Sequence, residues 1–482
     1  MGAVERFWPT RTRPWDGQRA KHLLERAGFG GGRTEVEALV ALGPREAVAS
    51  LLHYQPARWS PPTFLTIDAD PAELRALPEK ERRERVQLLL REARQAVLGL
   101  KAWWLERMVT TTAPLEEKLT LFWHGHFATE AKKVKSGLAL YHQLELFRQR
   151  GKGSFRELLR GVSRDPAMLL YLDNHLNRKG RPNENYAREL MELFTLGIGN
   201  YTEADVLETA RAFTGWTLQR TGPGRLTNLT YEFKPAQHDE GQKTILGQSG
   251  NFGGDEVIDL LLAQPAAAPF MVRKLWRYFV SDRLVPADEP TIEALAARFR
   301  DGYQVEPLLE DLLGCERFYA EEHLANRIKS PVELVVGSLR RLQIEPEEAL
   351  ARALVFALDQ LGQDLLDPPN VAGWAGGREW INTSTLLQRY NLLSLLLNGG
   401  RLGGKRGGRG AAGRLALDLP PFQTAAELLD QILPDWLAAP LPPAQRDLLQ
   451  DYLATLLSRE GREAGYRVAL HLVTSTPNYQ VN

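Results

Sequence analysis

The sequence predicts a mainly α protein: a multi-helical globular fold with one small β-hairpin and several long polar loops. Apolar residues recur at helical spacing over most of the chain, for example over 305–314 and 331–342. Two short runs with strand character, 231–233 and 243–246, flank a polar tip, and this pattern is typical of a hairpin. Hydrophobic residues make up 43% and charged residues 25% of the chain, close to globular averages, so we expect a soluble folded protein.

The stretch 181–197 is the part of the chain around which we expect a site to form. Asn183 can cap the first turn of a helix here, and Gly197 suits the left-handed residue that ends one. At about 100° per residue, one narrow face of this helix is polar, with Asn185, Glu189 and Glu192 on it and Arg188 at its edge. The other positions are largely apolar, so the helix should be buried. Buried carboxylates need a cation, a metal or several hydrogen-bond donors, and this face therefore indicates a site.

Changes in residue pattern divide the chain into four predicted regions. They are an N-terminal helical region (1–113), a central helical core with the motif-rich site and the hairpin near 230–247 (114–398), a basic Gly-rich linker (399–418) and a C-terminal helical region packed on the core (419–482). The linker is predicted because its Gly and Arg residues offer almost no apolar surface to bury.

Composition argues against several classes of protein. The 60 Lys and Arg residues balance 60 Asp and Glu residues, and a zero net charge argues against a dedicated nucleic-acid binder. Cys315 is the only cysteine, which excludes an intramolecular disulfide and a cysteine-cluster metal site. Neither a secretory signal nor an apolar run of about 18 residues is visible, so we expect no membrane span and a cytoplasmic protein.

Two histidines flank a glycine in the motif His124-Gly-His126. On a helix their rings would diverge by about 200°, but Gly125 permits a helix end at which both rings could turn inward. Together with Glu189 and Glu192 they would form a mixed set of ligands for one divalent metal, Zn, Mn, Fe or Ca. The alternative is that one histidine bonds a buried carboxylate while the other packs among aromatic neighbours.

Acid–base chemistry is a second hypothesis for the same region. The candidate catalytic side chains carry carboxyl or imidazole groups and are Glu184, Glu189, His238 and Asp239. Burial can raise the pKa of one carboxyl, and a His–carboxylate dyad at the hairpin tip can transfer protons. The alternative is a structural network in which an arginine, Arg188 or Arg211, neutralises the acidic face of the helix.

Polar and aromatic side chains near these positions are candidates for substrate binding. They are Asn183, Asn185, Arg188, Lys243, Trp374 and Trp380. The two tryptophans lie in or beside a loop rich in Pro and Gly, 367–380, where exposed indole rings would suit a glycan or a peptide. The alternative is that both tryptophans anchor an irregular loop to the core.

Several motifs taken in order carry a family resemblance. They include Leu121-Phe-Trp-His-Gly-His-Phe127, Pro182-Asn-Glu-Asn-Tyr-Ala-Arg-Glu-Leu-Met-Glu-Leu-Phe-Thr-Leu-Gly197, His238-Asp-Glu-Gly241 and Pro368-Pro-Asn-Val-Ala-Gly-Trp374. Together they resemble the large bacterial family catalogued as domain of unknown function 1800. The resemblance implies a predominantly helical fold and brings no established activity. Many members look exported and are encoded beside a sulfatase-like protein, which the resemblance implies as a partner, although this chain has no visible signal.

Two hypotheses of different classes follow from these observations. The first is an enzyme, a metal-dependent hydrolase whose His, Glu and Asn cleft would hold a metal that activates water. The alternative is a non-catalytic binding or accessory protein. In that case the buried polar network is structural, and the Trp-rich loop binds a glycan or protein partner.

Overall fold

The computed structural model describes residues 4–56, 58–67, 70–220, 228–398, 400–401, 411–412 and 417–482, and it confirms the mainly α prediction. The α-helices in this part of the chain are α1 (Gly17–Ala27), α2 (Arg33–Leu52, kinked at Gly43), α3 (Pro71–Ala76), α4 (Glu79–Thr110), α5 (Pro114–His126), α6 (Ala131–Val134), α7 (Gly137–Arg150), α8 (Phe155–Ser163), α9 (Pro166–Tyr171), α10 (Asn185–Glu189), α11 (Glu203–Ala212), α12 (Gly254–Leu262), α13 (Ala267–Phe279), α14 (Glu289–Phe299), α15 (Val305–Gly314), α16 (Pro331–Leu342), α17 (Glu348–Gln360), α18 (Thr383–Asn398), α19 (Ala425–Trp436), α20 (Pro443–Glu460) and α21 (Arg462–Thr474). The strands are β1 (Trp216–Arg220), β2 (Leu229–Phe233), β3 (Lys243–Ile245), β4 (Gln248–Gly250) and the two-residue pair β5 (Gly400–Arg401) and β6 (Ala411–Ala412).

The predicted hairpin is wrong in its pairing, because the two strand-like runs belong to different antiparallel sheets. The first run is β2, which pairs with β1, and the second run is β3, which pairs with β4. β3 and β4 are joined by a two-residue turn at Leu246 and Gly247, both with φ above zero (51° and 79°). Such turns match the twist of a hairpin, so β3 finds its partner locally. Leucine is not a residue that signals this turn, which is why the sequence pattern missed it.

The helix predicted within 181–197 forms in two parts. α10 gives one turn of α-helix, and the chain then widens into a π-helical segment over Leu190–Thr195. The Thr195 hydroxyl donates to the Leu190 carbonyl at 2.6 Å, within this wide turn. π-Helical turns are rare and leave some carbonyls without the usual helical partner. This segment therefore has backbone acceptors to offer to other elements.

One continuous core of buried apolar side chains runs from Phe7 to Tyr479. It includes members of the predicted N-terminal, central and C-terminal regions, so these three share a core. The predicted boundaries at 113 and 398 remain predictions, and the linker predicted at 399–418 lies largely outside the described residues. α5 runs through the middle of this core, with nearly all of its side chains buried. The two histidines of the first motif lie on its last turn.

Candidate functional site

The last turn of α5 directs its two histidines to different neighbours, as helix geometry requires for residues two apart. His124 faces the loop that follows α17, whereas His126 faces the π-helical segment and α13. Gly125 lies between them and touches the same loop, because a Cβ placed on Gly373 would overlap the Gly125 carbonyl oxygen. The two histidines therefore lie in two different environments rather than in one shared site.

His124 is completely buried and held in a single orientation. Its Nε2 accepts a hydrogen bond from the backbone N–H of Leu366 at 3.2 Å, while its Nδ1 has no partner among the described residues. The ring meets the edges of Trp104 and Trp374 at centroid distances of 5.4 and 5.5 Å. Burial, with the nearby charge of Lys101, lowers the pKa of His124 to about 3, so its imidazole is neutral at physiological pH.

His126 is enclosed by aromatic rings and one lysine. Phe127 and Phe194 lie at centroid distances of 4.4 and 5.9 Å, and the Lys274 Nζ donates to Nδ1 at 3.2 Å. Burial, followed by the charge of Lys274, holds the pKa of His126 well below its ordinary value. Lys274 also donates to the Leu193 carbonyl of the π-helical segment at 2.7 Å, and its own burial lowers its pKa to about 8. His126 and Lys274 thus support the π-helical segment.

The acidic face of 185–195 contains one carboxylate without a partner. Glu189 is half-buried and makes no side-chain hydrogen bond or ion pair to any described residue, and burial together with the charge of Glu192 raises its pKa. Glu192 accepts a hydrogen bond from the Tyr201 hydroxyl at 2.6 Å. The structural network predicted for this face is wrong in its partners, because Arg188 pairs with Glu203 at 2.7 Å and with Glu184 at 3.2 Å.

The four side chains predicted as metal ligands are not gathered into one set. No group of three or more His, Cys, Asp or Glu side chains among the described residues could hold a metal. The physical reason is that α5 continues through His126, so His124 points away from the acidic face. The expected turn at Gly125 does not occur.

The asparagines at the start of the helix have structural contacts. The Asn183 side-chain oxygen accepts from the backbone N–H of Asn185 at 3.0 Å, but the N-cap residue of α10 is Glu184, so Asn183 lies one residue before the predicted cap position. The backbone N–H of Asn183 donates to the side-chain oxygen of Asn177 at 2.9 Å. The Asn185 side chain is exposed.

His238 and Asp239 have separate partners and do not form the predicted dyad. The Asp239 carboxylate accepts from the Arg211 Nε at 2.8 Å, and this bond holds the pKa of Asp239 at about 2. His238 Nδ1 donates to the backbone carbonyl of Thr214 at 2.9 Å. The Lys243 Nζ donates to the carbonyls of Asp239 and Gly241. These contacts tie the segment before β3 to α11, so the residues serve the local structure.

The two tryptophans of the 367–380 loop differ in burial. Trp374 is partly buried with its edge on His124, and Trp380 is 8% exposed with its backbone carbonyl bonded to the Thr385 hydroxyl at 3.0 Å. Both tryptophans therefore anchor the loop, which agrees with the alternative considered for them.

A cavity of about 510 Å³ lies beyond this loop, between α4, α6 and α17. Its walls are mainly apolar and include Leu90, Ala93, Val97, Leu98, Val355 and Phe356. Leu90 and Phe356 remain 39% and 41% exposed, so apolar surface is open at this place. The Lys101 Nζ lies in the wall, bonded to the carboxylates of Asp364 and Asp367. Ala131, Arg94, Lys132, Lys135 and Asp359 complete the lining.

Two strained backbone positions lie beside the cavity, and one of them, Leu366, also contacts His124. Leu366 has a φ of 62° and Lys135 a φ of 58°, values that side chains other than glycine rarely adopt. The Leu366 N–H donates to His124, and its carbonyl accepts from the Ala131 N–H at 2.8 Å. Strain of this kind persists where surrounding contacts enforce it, often beside functional sites. The backbone of Leu366 thus lies against both the α5 motif and α6.

One known protein family covers almost the whole chain. The chain matches the family described as "Protein of unknown function (DUF1800)" over residues 22–481. It belongs to the DUF1800 family. Searches of curated proteins and of solved structures found no match. The matched range spans every residue of the cavity and of the α5 motif, and it confirms the resemblance seen in the motifs.

The cavity of this DUF1800 chain could not be found from the sequence. Lys101 lies on an apolar stretch of α4, and its partner Asp364 is 263 residues away in the chain. No spacing rule connects them. The sequence does contain one indication of the site: Asp364 and Asp367 lie just before the Pro-rich loop and have no cation near them in the sequence. Among the described helices, none is long and apolar enough to cross a lipid bilayer.

Proposed function

We propose that this DUF1800 protein binds an amphipathic organic anion in the cavity between α4, α6 and α17. The observation that carries the proposal is a cavity with mostly apolar walls and several basic side chains in its lining. Its volume of about 510 Å³ falls within the range of roughly 300–1,000 Å³ typical of small-molecule sites. This is the binding-protein alternative of the two sequence hypotheses, located at a different surface from the Trp-rich loop.

The charges in the lining favour an anion over a cation. Asp364 and Asp367 share the single positive charge of the buried Lys101, and Lys132 supplies a second cation near Asp367. Arg94 and Lys135 have no ion-pair partner among the described residues, and the Lys132 Nζ is 4.0 Å from Asp367. Asp359 is the one acidic group in the lining without such a partner in the same part of the chain. A carboxylate or phosphate on the ligand would therefore meet an excess of positive charge.

The apolar walls favour a ligand with an aliphatic or aromatic body. Val97 and Val355 are buried, and Leu90 and Phe356 are partly open to solvent. Covering such surface stabilises a complex by roughly 25 cal/mol per Å² of apolar area. Decanoate has both features, a ten-carbon chain and one carboxylate, and it serves as a probe.

We expect decanoate to bind with a dissociation constant on the order of 10–100 µM. This value corresponds to a binding free energy of about 0.5 kcal/mol for each of its roughly 12 non-hydrogen atoms. Replacing both Lys132 and Lys135 by Gln should weaken binding about tenfold, because each exposed ion pair contributes at most about 1 kcal/mol. Ala93→Trp should weaken binding strongly, because the indole would occupy part of the cavity. Isothermal titration calorimetry measures all three values.

The matched controls are Lys80→Gln and decylamine. Lys80 lies on the same helix, α4, outside the cavity lining, and its loss should leave decanoate binding unchanged. Decylamine has the same chain with the opposite charge and should bind more weakly than decanoate. Equal binding of the two probes, or full binding by Ala93→Trp, would overturn the proposal.

A second candidate function, general acid–base catalysis by Glu189, is favoured by one specific observation. Its carboxylate is half-buried, has no bonded partner among the described residues, and lies where α10 passes into the π-helical segment. Burial and the charge of Glu192 raise its pKa, so Glu189 keeps its proton to higher pH than an exposed glutamate does. A general acid needs this property.

This candidate leads to a measurable pKa change. Glu192→Gln removes the like charge, so the pKa of Glu189 should fall toward its ordinary value, while burial keeps it above that value. Titration of the carboxyl carbons by NMR measures the pKa directly. Glu379→Gln, an exposed residue on another element, is the control and should change nothing. An unaltered Glu189 pKa in Glu192→Gln would show that the two carboxylates are not coupled.

Neither proposal involves a metal, because the predicted ligands are not gathered in the described residues. Metal-dependent hydrolysis and the sulfatase-like partner stay predictions from the sequence. Elemental analysis of the purified protein tests the first of these, and co-purification tests the second.

A further inference from the structure

A second cavity, of about 890 Å³, lies on another side of the molecule and has a different chemical character. It is bounded by the turn after α13 and by the segment that leads into α16. Most of its lining is polar: Asp282, Arg283, Glu322, His323, Asn326 and Arg378. Val285 and Ile328 supply the apolar part of the lining.

The buried side of this cavity is a rigid network. His323 is 1% exposed, and its Nε2 bonds to the Asp288 carboxylate at 2.8 Å. Arg317 donates to the same Asp288 oxygen at 2.7 Å and pairs with Glu322 at 2.8 Å. The His323 and Arg317 bonds hold the pKa of Asp288 below its ordinary value, although burial alone would raise it. The charges of Asp288, Arg317 and Glu322 are therefore already paired within the network.

Three charged side chains of the lining lie outside this network. Asp282, Arg283 and Arg378 are exposed and form no ion pair with any described residue. Gly377, the chain neighbour of Arg378, packs against Asp282, because a Cβ on Gly377 would overlap an Asp282 carboxylate oxygen. At a φ of 57° this glycine also adopts a backbone conformation that other residues rarely take. Asp282 and Arg378 thus line the same cavity without pairing with each other.

We propose that this cavity is a second ligand site, which takes a small zwitterion with an ammonium group, a carboxylate and an apolar side chain. The carboxylate would pair with Arg283 or Arg378, because guanidinium groups bind carboxylates in a bidentate manner. The ammonium group would pair with Asp282, and the side chain would lie on Val285 and Ile328. A free α-amino acid and a dipeptide share this chemistry, because each carries both charged groups on one small molecule.

Calorimetric titration with L-leucine, on the full chain, tests the site. We expect saturable binding of L-leucine, at least tenfold weaker binding of N-acetyl-leucine and of leucinamide, and about tenfold weaker binding of L-leucine to Arg378→Gln and Asp282→Asn. Leucyl-glycine and glycyl-leucine separate the two sources. If either dipeptide binds more tightly than leucine, the ligand is a dipeptide, and otherwise it is a free amino acid.

The control variant is Arg459→Gln, which removes an exposed arginine of α20 and should bind L-leucine like the unaltered protein. Melting temperatures should match among all variants, since the replaced side chains are exposed. The proposal is overturned if neither leucine nor either dipeptide binds at about 10 mM. It is equally overturned if N-acetyl-leucine and leucinamide bind as tightly as leucine.

Discussion

Glu333→Gln should lower the free energy of unfolding by about 3–5 kcal/mol, because it leaves two buried cations without their counter-charge. Lys118 and Arg327 both donate to the same Glu333 oxygen, and all three residues are buried. The other oxygen accepts from the backbone N–H of Ser330 at 2.7 Å and caps α16. Burial alone would raise the pKa of Glu333, but Arg327 and Lys118 hold it well below its ordinary value.

The sign of the pH dependence follows from this lowered pKa. A carboxyl with a lower pKa in the folded state stabilises the protein fully above its ordinary pKa of 4.5. The contribution is lost progressively as the pH falls from that value through the lower pKa of the folded state. The difference in stability between the unaltered protein and Glu333→Gln should therefore be largest near neutral pH and shrink in acid. Urea denaturation at pH 7 and near pH 3 measures it.

Glu348→Gln is the control for this prediction. Glu348 pairs with Arg352 at 2.9 Å on the surface of α17, and loss of such a pair costs no more than about 0.5 kcal/mol. Similar small losses in the two variants would contradict the role assigned to the buried triad.

Gly373→Ala should destabilise the protein by about 2–4 kcal/mol, since it faces two separate penalties. Its φ of 79° costs alanine about 1 kcal/mol, and its Cβ would overlap the Gly125 carbonyl oxygen, so backbone must move. That movement would separate Trp374 from His124. We also expect weaker decanoate binding, because the same loop carries Leu366 beside the cavity.

Gly362→Ala separates the two penalties. Gly362 has a φ of 94°, but nothing lies within 4 Å of the position that an alanine Cβ would take there. It should therefore lose only about 1 kcal/mol, the cost of the backbone conformation. Urea midpoints of the two variants give the comparison. Equal losses would mean that the contact between the loop and α5 is unimportant.

The parts of the fold that depend on local chemistry could be predicted from the sequence. The pattern at 331–342 coincides with α16, where Ser330 and Glu333 form a capping box ahead of an apolar run. The pattern at 305–314 coincides with α15. In both cases the helical period and the bounds of the helix can be predicted from residues that are close together in the sequence.

The site could not be predicted in the same way, because it depends on contacts between distant residues. The motif predicts His124 and His126 as one pair of ligands, yet the helix continues through them and each has its own surroundings. The π-helical segment is supported by Lys274, which is 81 residues from its acceptor Leu193. The cavity likewise depends on Lys101 meeting Asp364 and Asp367. Tertiary contacts of this kind leave no periodic trace in a single sequence.

Photo-crosslinking with an alkyl carboxylate that carries a diazirine on its chain tests the proposed ligand site most directly. After irradiation and proteolysis, mass spectrometry should find the label on α4 between 90 and 98 and on α17 near Phe356, with excess decanoate preventing the reaction. Labelling confined to other elements, or labelling that excess decanoate does not reduce, would contradict the assignment of this cavity as the ligand site.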